Sequence, residues 1–189
     1  MAILQIAAAK TLKWEGGYCN VAGDAGGETI FGIARNMHPN LKLWEYVDTY
    51  KKGLAPFDKS KYKELEKLCS GNIQFKEEME KFYKREFWDK IKGEQIECQE
   101  SANAIYDFAV NSGVKRAVEY AQETLGVFSD GVMGEKTLGA LNTAGKEFVN
   151  HYCDNRAEFF KKIAQKGENA KFLKGWLNRV SDFYSVELS

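Results

Sequence analysis

The chain has 189 residues, of which 44% are hydrophobic and 13% aromatic, so it is long and apolar enough to form a hydrophobic core, and global disorder is excluded. Its 27 basic and 27 acidic residues cancel, which argues against nucleic acid or an anionic membrane as a partner. The four cysteines form no CxxC pair and the two histidines lie in no metal-ligand motif, so we expect neither a metal ion nor a cofactor.

The N-terminal residues are apolar, but Lys10 and Lys13 interrupt them before they reach the length of a membrane span. They also lack the positively charged start of an export signal. We therefore expect a protein that is made in the cytoplasm without a signal peptide and that does not insert into a membrane.

The first predicted helix covers residues 2–14, where apolar residues recur at three- and four-residue spacing. Glu15 falls on the same apolar stripe, and Gly16-Gly17 behind it marks the end of the helix. An apolar position at the negative end of the helix dipole favours the protonated form of a carboxyl group. Glu15 is therefore a candidate general acid, the alternative being a solvated glutamate near a helix end.

A glycine-rich segment follows, and residues 14–33 hold six of the 17 glycines of the chain. Turns expected at Gly23-Asp24 and at residues 25–27, with strand-forming residues after them, predict a small β-hairpin or sheet. Asp24 is a candidate for a carboxylate that stays ionised in a polar turn, and Thr29 for a hydroxyl that holds a water molecule.

Three more residues of this segment are candidates for substrate contact. Tyr18 and Phe31 supply aromatic rings that can stack on sugar faces. Gly32 belongs to the glycines that let a sugar chain approach the backbone closely.

The rest of the chain reads as helices joined by short turns, without a linker or a repeat. The predicted helices cover residues 41–47, 58–69, 73–88, 99–112, 116–125, 135–141, 145–165 and 169–186. Because only one segment resembles a strand, we expect a mainly α fold with a small β element, folded as one compact unit.

Asp107 and Asn111 lie one turn apart on the most apolar of the later helices, so they project from it together. They are candidates for contact with a substrate. A capping or interhelical hydrogen bond explains the pair equally well.

Two carboxylates and a hydroxyl in a glycine-lined segment fit glycoside hydrolysis. One protonated carboxyl donates to the leaving oxygen, while an ionised carboxylate activates water or stabilises the transition state. Other chemistries lack a signature, because the chain has no GxSxG elbow and no GxxxxGK[ST] phosphate loop.

These residues resemble glycoside hydrolase family 108, the N-acetylmuramidases of phages, prophages and bacteria that cleave peptidoglycan. The first block of the resemblance is Glu15-Gly16-Gly17-Tyr18 followed by Asp24-x-Gly26-Gly27-x-Thr29-x-x-Gly32-Ile33. The later blocks spread over nearly the whole chain and are Phe87-Trp88-Asp89, Asp107-x-x-Val110-Asn111-x-Gly113, Leu125-Gly126-Val127, Asp130-Gly131-Val132-x-Gly134 and Phe172-x-x-Gly175-Trp176-x-x-Arg179-Val180.

The resemblance implies a lysozyme-like α+β fold with a small sheet after the first helix. It implies a catalytic part over residues 1–95 and a helical part over residues 96–189, with a peptidoglycan-binding region from Gln122 to about Leu141. It also implies that Glu15 is the catalytic acid for the β-1,4 bond between N-acetylmuramic acid and N-acetylglucosamine. A similar order of residues in phage-type lysozymes implies that Asp24 and Thr29 orient the attacking water.

Two other functions stay open. A lytic transglycosylase uses one acid and no water, and the presence of both Asp24 and Thr29 favours hydrolysis over it. A binding module that has lost turnover would retain the fold, and the intact Glu15 argues against that alternative.

The partner implied by the resemblance is the glycan strand of peptidoglycan. A monomer is expected, acting on the cell wall from the periplasm or the exterior. Since no export signal is expected, a holin, lysis of the cell or a secretion machine would have to deliver the enzyme, as for a phage or prophage endolysin.

Overall fold

The computed structural model describes residues 1–21 and 23–185, and over those residues it is mainly helical with one small sheet. The α-helices are α1 Leu4–Leu12, α2 Leu43–Gly53, α3 Tyr62–Gly71, α4 Ile73–Tyr83, α5 Gln99–Ser112, α6 Val114–Leu125, α7 Glu135–Ala144, α8 Glu147–Ala164 and α9 Leu173–Ser181. The strands are β1 Tyr18–Cys19, β2 Thr29–Ile30 and β3 Ile33–Ala34. A mainly α class with a small sheet after the first helix is therefore confirmed.

The chain divides into two units. The first, called here the sheet unit, is Leu12–Lys84, and the second, the helical unit, is made of Met1–Thr11 and Arg85–Ser189. The expected catalytic part over residues 1–95 and helical part over residues 96–189, packed as one compact unit, stay a prediction.

In the sheet unit the three strands pair antiparallel in sequence order, with Ile30 opposite both Tyr18 and Ile33. These three side chains are buried on one face of the sheet. Because side chains alternate along a strand, Thr29 points to the opposite face, away from that core. The pairing register thus decides that the threonine faces away from the hydrophobic interior.

Helices α2, α3 and α4 complete the core of the sheet unit. Their fully buried residues include Leu43, Val47, Leu65, Cys69 and Phe75. The Asn72 side chain caps α4 by accepting a hydrogen bond from the Phe75 amide at 2.8 Å.

In the helical unit α5 lies at the centre. Every residue of it from 101 to 109 is buried, which explains why this segment is the most apolar of the later helices. Gly113, with φ of 93°, ends α5 and allows the chain to turn directly into α6. Tyr152 of α8 donates from its hydroxyl to the Ala117 carbonyl of α6 at 2.9 Å and so ties these two helices together.

The motif around Trp88 is structural. Its indole is fully buried and packs edge-on against Tyr106, with ring centroids 5.6 Å apart. A β-carbon on Gly93 would overlap the indole, so glycine is needed there. Trp88 ends a five-residue π-helical turn, Lys84–Trp88, that follows α4.

Several helix ends differ from the sequence-based expectation. The helix predicted over residues 73–88 changes to π-helical geometry after Tyr83, and the segment before Leu173 is a 3-10 turn, Gly167–Phe172. The short helix predicted over residues 41–47 extends to Gly53. The predicted end of the last helix at Val186 lies outside the described residues.

The four cysteines, Cys19, Cys69, Cys98 and Cys153, are free thiols. Burial raises the pKa of Cys69 to about 12 and that of Cys153 to about 11, so both stay protonated and unreactive near neutral pH. Cys19 is exposed.

Candidate active site

Glu15 lies just beyond the first helix. Helix α1 ends at Leu12, two residues earlier than expected, and the Glu15 amide donates to the Leu12 carbonyl at 3.1 Å. The side chain therefore projects from a tight bend between α1 and β1, and it is half-buried. A bend fixed by a backbone hydrogen bond holds the carboxylate in a defined place.

The Glu15 carboxylate packs against the backbone of Gly32. A β-carbon built on Gly32 would lie 2.7 Å from Oε2 of Glu15 and 2.8 Å from the hydroxyl oxygen of Tyr83. Gly32 also has φ of 78°, which side-chain-bearing residues rarely adopt. The carboxylate and the tyrosine hydroxyl thus converge on a glycine that is itself exposed to solvent.

Phe31 precedes that glycine in an unusual backbone conformation, with φ of 45°. Two contacts hold it: its amide donates to the Gly17 carbonyl at 3.0 Å, and its carbonyl accepts from the Tyr83 hydroxyl at 2.7 Å. Its half-buried ring packs edge-on against Phe75, with centroids 6.0 Å apart. Strained backbone of this kind concentrates at functional sites.

The side chains of Asp24 and Thr29 both approach Gly26. A β-carbon built on Gly26 would lie 3.9 Å from Oδ2 of Asp24 and 3.7 Å from Oγ1 of Thr29. The other oxygen of Asp24 accepts from the Gly26 amide at 3.3 Å, and the carboxylate is exposed. The structure therefore brings the aspartate of the turn and the threonine of β2 to one place.

Glu28, which sequence reasoning missed, anchors the sheet. Its side chain is 10% exposed and forms ion pairs with Arg35 at 2.8 Å and Lys51 at 2.7 Å. Arg35 in turn pairs with Asp48 at 2.7 Å and lowers the pKa of that carboxyl below its ordinary value. This network joins the residues that flank β2 and β3 to α2, and no local pattern signals it because the strand segment and the helix are separated in sequence.

Tyr18 is a core residue. Its ring is 5% exposed and packs edge-on against Tyr62 and Phe57, with centroids 4.6 and 5.6 Å away. Burial, aided by the hydrogen bond to Glu28, raises the pKa of its hydroxyl far above the ordinary value. The sugar stacking expected of Tyr18 is thus corrected to a structural role, because a residue that is 5% exposed offers no open ring face to a sugar.

Asp107 belongs to a buried ion cluster of the helical unit. Its carboxylate is fully buried and pairs with Arg156 at 2.7 Å and Arg179 at 2.8 Å. The substrate contact expected of Asp107 is corrected to a structural role. A carboxylate without solvent exposure is not available to a substrate. Asn111 is half-buried and accepts from the Ser112 hydroxyl at 3.0 Å, and its contact with a substrate stays a prediction.

Gln122 organises the loop between α6 and α7. Its buried amide nitrogen donates to Oδ1 of Asp130 at 2.8 Å and to the Thr137 hydroxyl at 3.0 Å. Its amide oxygen accepts from the backbone amides of Asp130 and Gly131 at 3.0 and 2.9 Å. The loop exposes Phe128 to 84%.

No cluster of three or more histidine, cysteine, aspartate or glutamate residues able to hold a metal ion occurs in residues 1–21 and 23–185. Within the same ranges, no helix has the length and apolar character needed to cross a membrane.

Comparison with known proteins assigns both parts of the chain. The sequence model described as "Glycosyl hydrolase 108" matches residues 8–113, and the one described as "Predicted Peptidoglycan domain" matches residues 116–181. Among solved structures, one titled "Structure of Brucella abortus SagA" is 30% identical, with a TM-score of 0.63 over 95% of this chain and 90% of that chain. No curated protein matched. The lysozyme-like α+β fold expected from the sequence is confirmed.

Proposed function

The chain belongs to the glycosyl hydrolase 108 family, and from this we propose that it is an N-acetylmuramidase with Glu15 as its general acid. Membership of this family identifies the chain as a glycoside hydrolase. The match of residues 116–181 to the "Predicted Peptidoglycan domain" supports peptidoglycan as its substrate. The bond cleaved is the β-1,4 bond between N-acetylmuramic acid and N-acetylglucosamine.

The observation that carries the proposal is the position of the Glu15 carboxylate against the exposed backbone of Gly32. Without a side chain on Gly32, a sugar can approach that carboxylate closely, with Tyr83 beside it. Glu15 then donates its proton to the bridging oxygen as the bond from that oxygen to the anomeric carbon breaks.

Asp24 and Thr29 are proposed to supply the water. The approach of both side chains to Gly26 supports binding of one water molecule between the carboxylate and the hydroxyl. Asp24 takes a proton from that water molecule while the water oxygen forms a bond to the anomeric carbon. Direct attack of this kind inverts the anomeric centre.

The product ends distinguish hydrolysis from transglycosylation. We expect purified peptidoglycan digested by the protein to yield muropeptides with ordinary reducing N-acetylmuramic acid ends in mass spectrometry. Ends of the 1,6-anhydro type would show a lytic transglycosylase instead. Binding to sacculi without release of soluble fragments would indicate a module without turnover.

Replacing Asp24 with asparagine should lower kcat by about 10²-fold, since a general base contributes on that scale. Asp58→Asn is a matched control, because Asp58 also lies in the sheet unit and accepts from a backbone amide two residues on, that of Ser60 at 2.8 Å. Initial rates of reducing-end release measure both variants. Equal rates for Asp24→Asn and Asp58→Asn would remove Asp24 from the mechanism.

Replacing Gly32 with alanine should lower kcat by about a hundredfold, because the new methyl group displaces the Glu15 carboxylate, and a shift of about 1 Å suffices for such a loss. Gly53→Ala is the control, since no atom lies within 4 Å of its added β-carbon. Activity and thermal unfolding are measured for both. Full activity in Gly32→Ala would show that the carboxylate works from another position.

The proposal includes a route by which the enzyme reaches the cell wall. An endolysin released through a holin, by lysis or by a secretion machine would act on the wall as a monomer. Phe128, on the ordered loop of the "Predicted Peptidoglycan domain" region, is proposed to contact the wall there.

A further inference from the structure

We propose that an apolar cleft beside Glu15 binds the peptide stem of the muramic acid residue, and this rests on the proposed muramidase function. The stem is a short peptide that starts with alanine and carries a free carboxylate on its second residue. It is attached through a lactoyl group that N-acetylglucosamine lacks. A site for it would favour stem-bearing strands over bare glycan.

The cleft lies in the sheet unit and has a volume of about 280 Å³. It is lined mainly by apolar side chains, namely Leu12, Phe31, Phe75 and Met79, with Ser70 and Lys76 as the polar members. Apolar walls with a few polar groups are typical of small-molecule sites. Methyl groups of a lactoyl-alanine segment match such walls in size and character.

Two segments connect the cleft to the proposed general acid. The Leu12 carbonyl accepts the hydrogen bond from the Glu15 amide at 3.1 Å. Phe31 is followed directly by Gly32, on which the Glu15 carboxylate packs. Both connections join residues that line the cleft to the segments that carry and contact Glu15, and the lactoyl substituent of a muramic acid bound there is proposed to enter the cleft.

Lys76 supplies the complementary charge. It is exposed in the first turn of α4, and its side chain has no ion pair or hydrogen bond within the described part of the chain. By contrast, Lys81 on the same helix pairs with Glu78 at 2.9 Å. An unpaired ammonium group at an apolar cleft fits the carboxylate of a peptide stem.

The test compares glycan strands that carry their stems with the same strands after an amidase has removed them. We expect wild type to have the higher kcat/KM on stem-bearing strands. Lys76→Gln should reduce the ratio of the two kcat/KM values by roughly three- to fivefold, the effect of one partly exposed charge pair. Lys76→Glu should reduce that ratio further, because it repels the stem carboxylate.

Lys81→Gln is the control, because it removes an ammonium group from the same helix outside the cleft and should leave the ratio at the wild-type value. Equal kcat/KM values on both strands, or a ratio that Lys76→Glu does not change, would overturn the stem site. The proposed muramidase function would survive that result if reducing muramic acid ends are still formed. Failure to cleave either strand would overturn both.

Discussion

Glu15→Gln is expected to lower kcat on peptidoglycan by at least roughly 10³-fold, the largest effect of any single substitution in this chain. Glutamine keeps the size of the side chain beside Gly32 but has no carboxyl proton to give to the bridging oxygen. Wild-type and variant digests are compared by mass spectrometry of the muropeptides, and binding to sacculi is expected to persist.

Glu77→Gln is the matched control, since Glu77 is an exposed glutamate of α4 in the same unit. Thermal unfolding is measured for both variants. Unchanged unfolding temperatures would show that the loss of activity comes from the missing carboxyl proton and not from unfolding. Full activity of Glu15→Gln would refute Glu15 as the general acid, whatever the fate of Asp24.

Asp107→Asn should produce the largest loss of stability, about 3–5 kcal/mol in the free energy of unfolding, because it leaves buried guanidinium charges without their carboxylate. The side chain of Arg156 is 0% exposed and that of Arg179 is 8% exposed, so water cannot replace the lost partner. Urea unfolding of wild type and variant measures the change.

Glu158→Gln serves as the control for that measurement, because Glu158 forms an exposed ion pair with Lys161 in the same unit and such pairs contribute little. Unchanged stability of Asp107→Asn together with a raised KM would contradict the structural role. Such a result would support the substrate contact that the motif first suggested.

Part of the local structure around the candidate site could be predicted from the sequence, because it depends on neighbouring residues. A helix followed by Gly16-Gly17 places a glutamate at its end, and a glycine-rich turn followed by β-branched residues predicts the sheet that carries Thr29. These patterns involve residues close together in sequence, whose spacing decides local geometry. What they missed is the bend after Leu12, where the helix ends two residues before the predicted limit.

Tyr18 shows why a residue type is a weak guide to a contact. Its position in the Glu-Gly-Gly-Tyr motif is compatible with two roles, stacking of the ring on a sugar and packing of the ring in the hydrophobic core. Only the packing of Tyr62 and Phe57 against it decides between these, since burial depends on distant parts of the chain.

The sequence by itself therefore determined the fold class, the family and the acidic residue at the end of the first helix. Tertiary structure alone decided that Gly32 and Tyr83 meet the Glu15 carboxylate, and that Asp107 binds two arginines 49 and 72 residues away. The physical reason is the range of the interactions. Periodicity and turn chemistry act over a few residues, whereas ion pairs and close packing form between segments that only folding brings together.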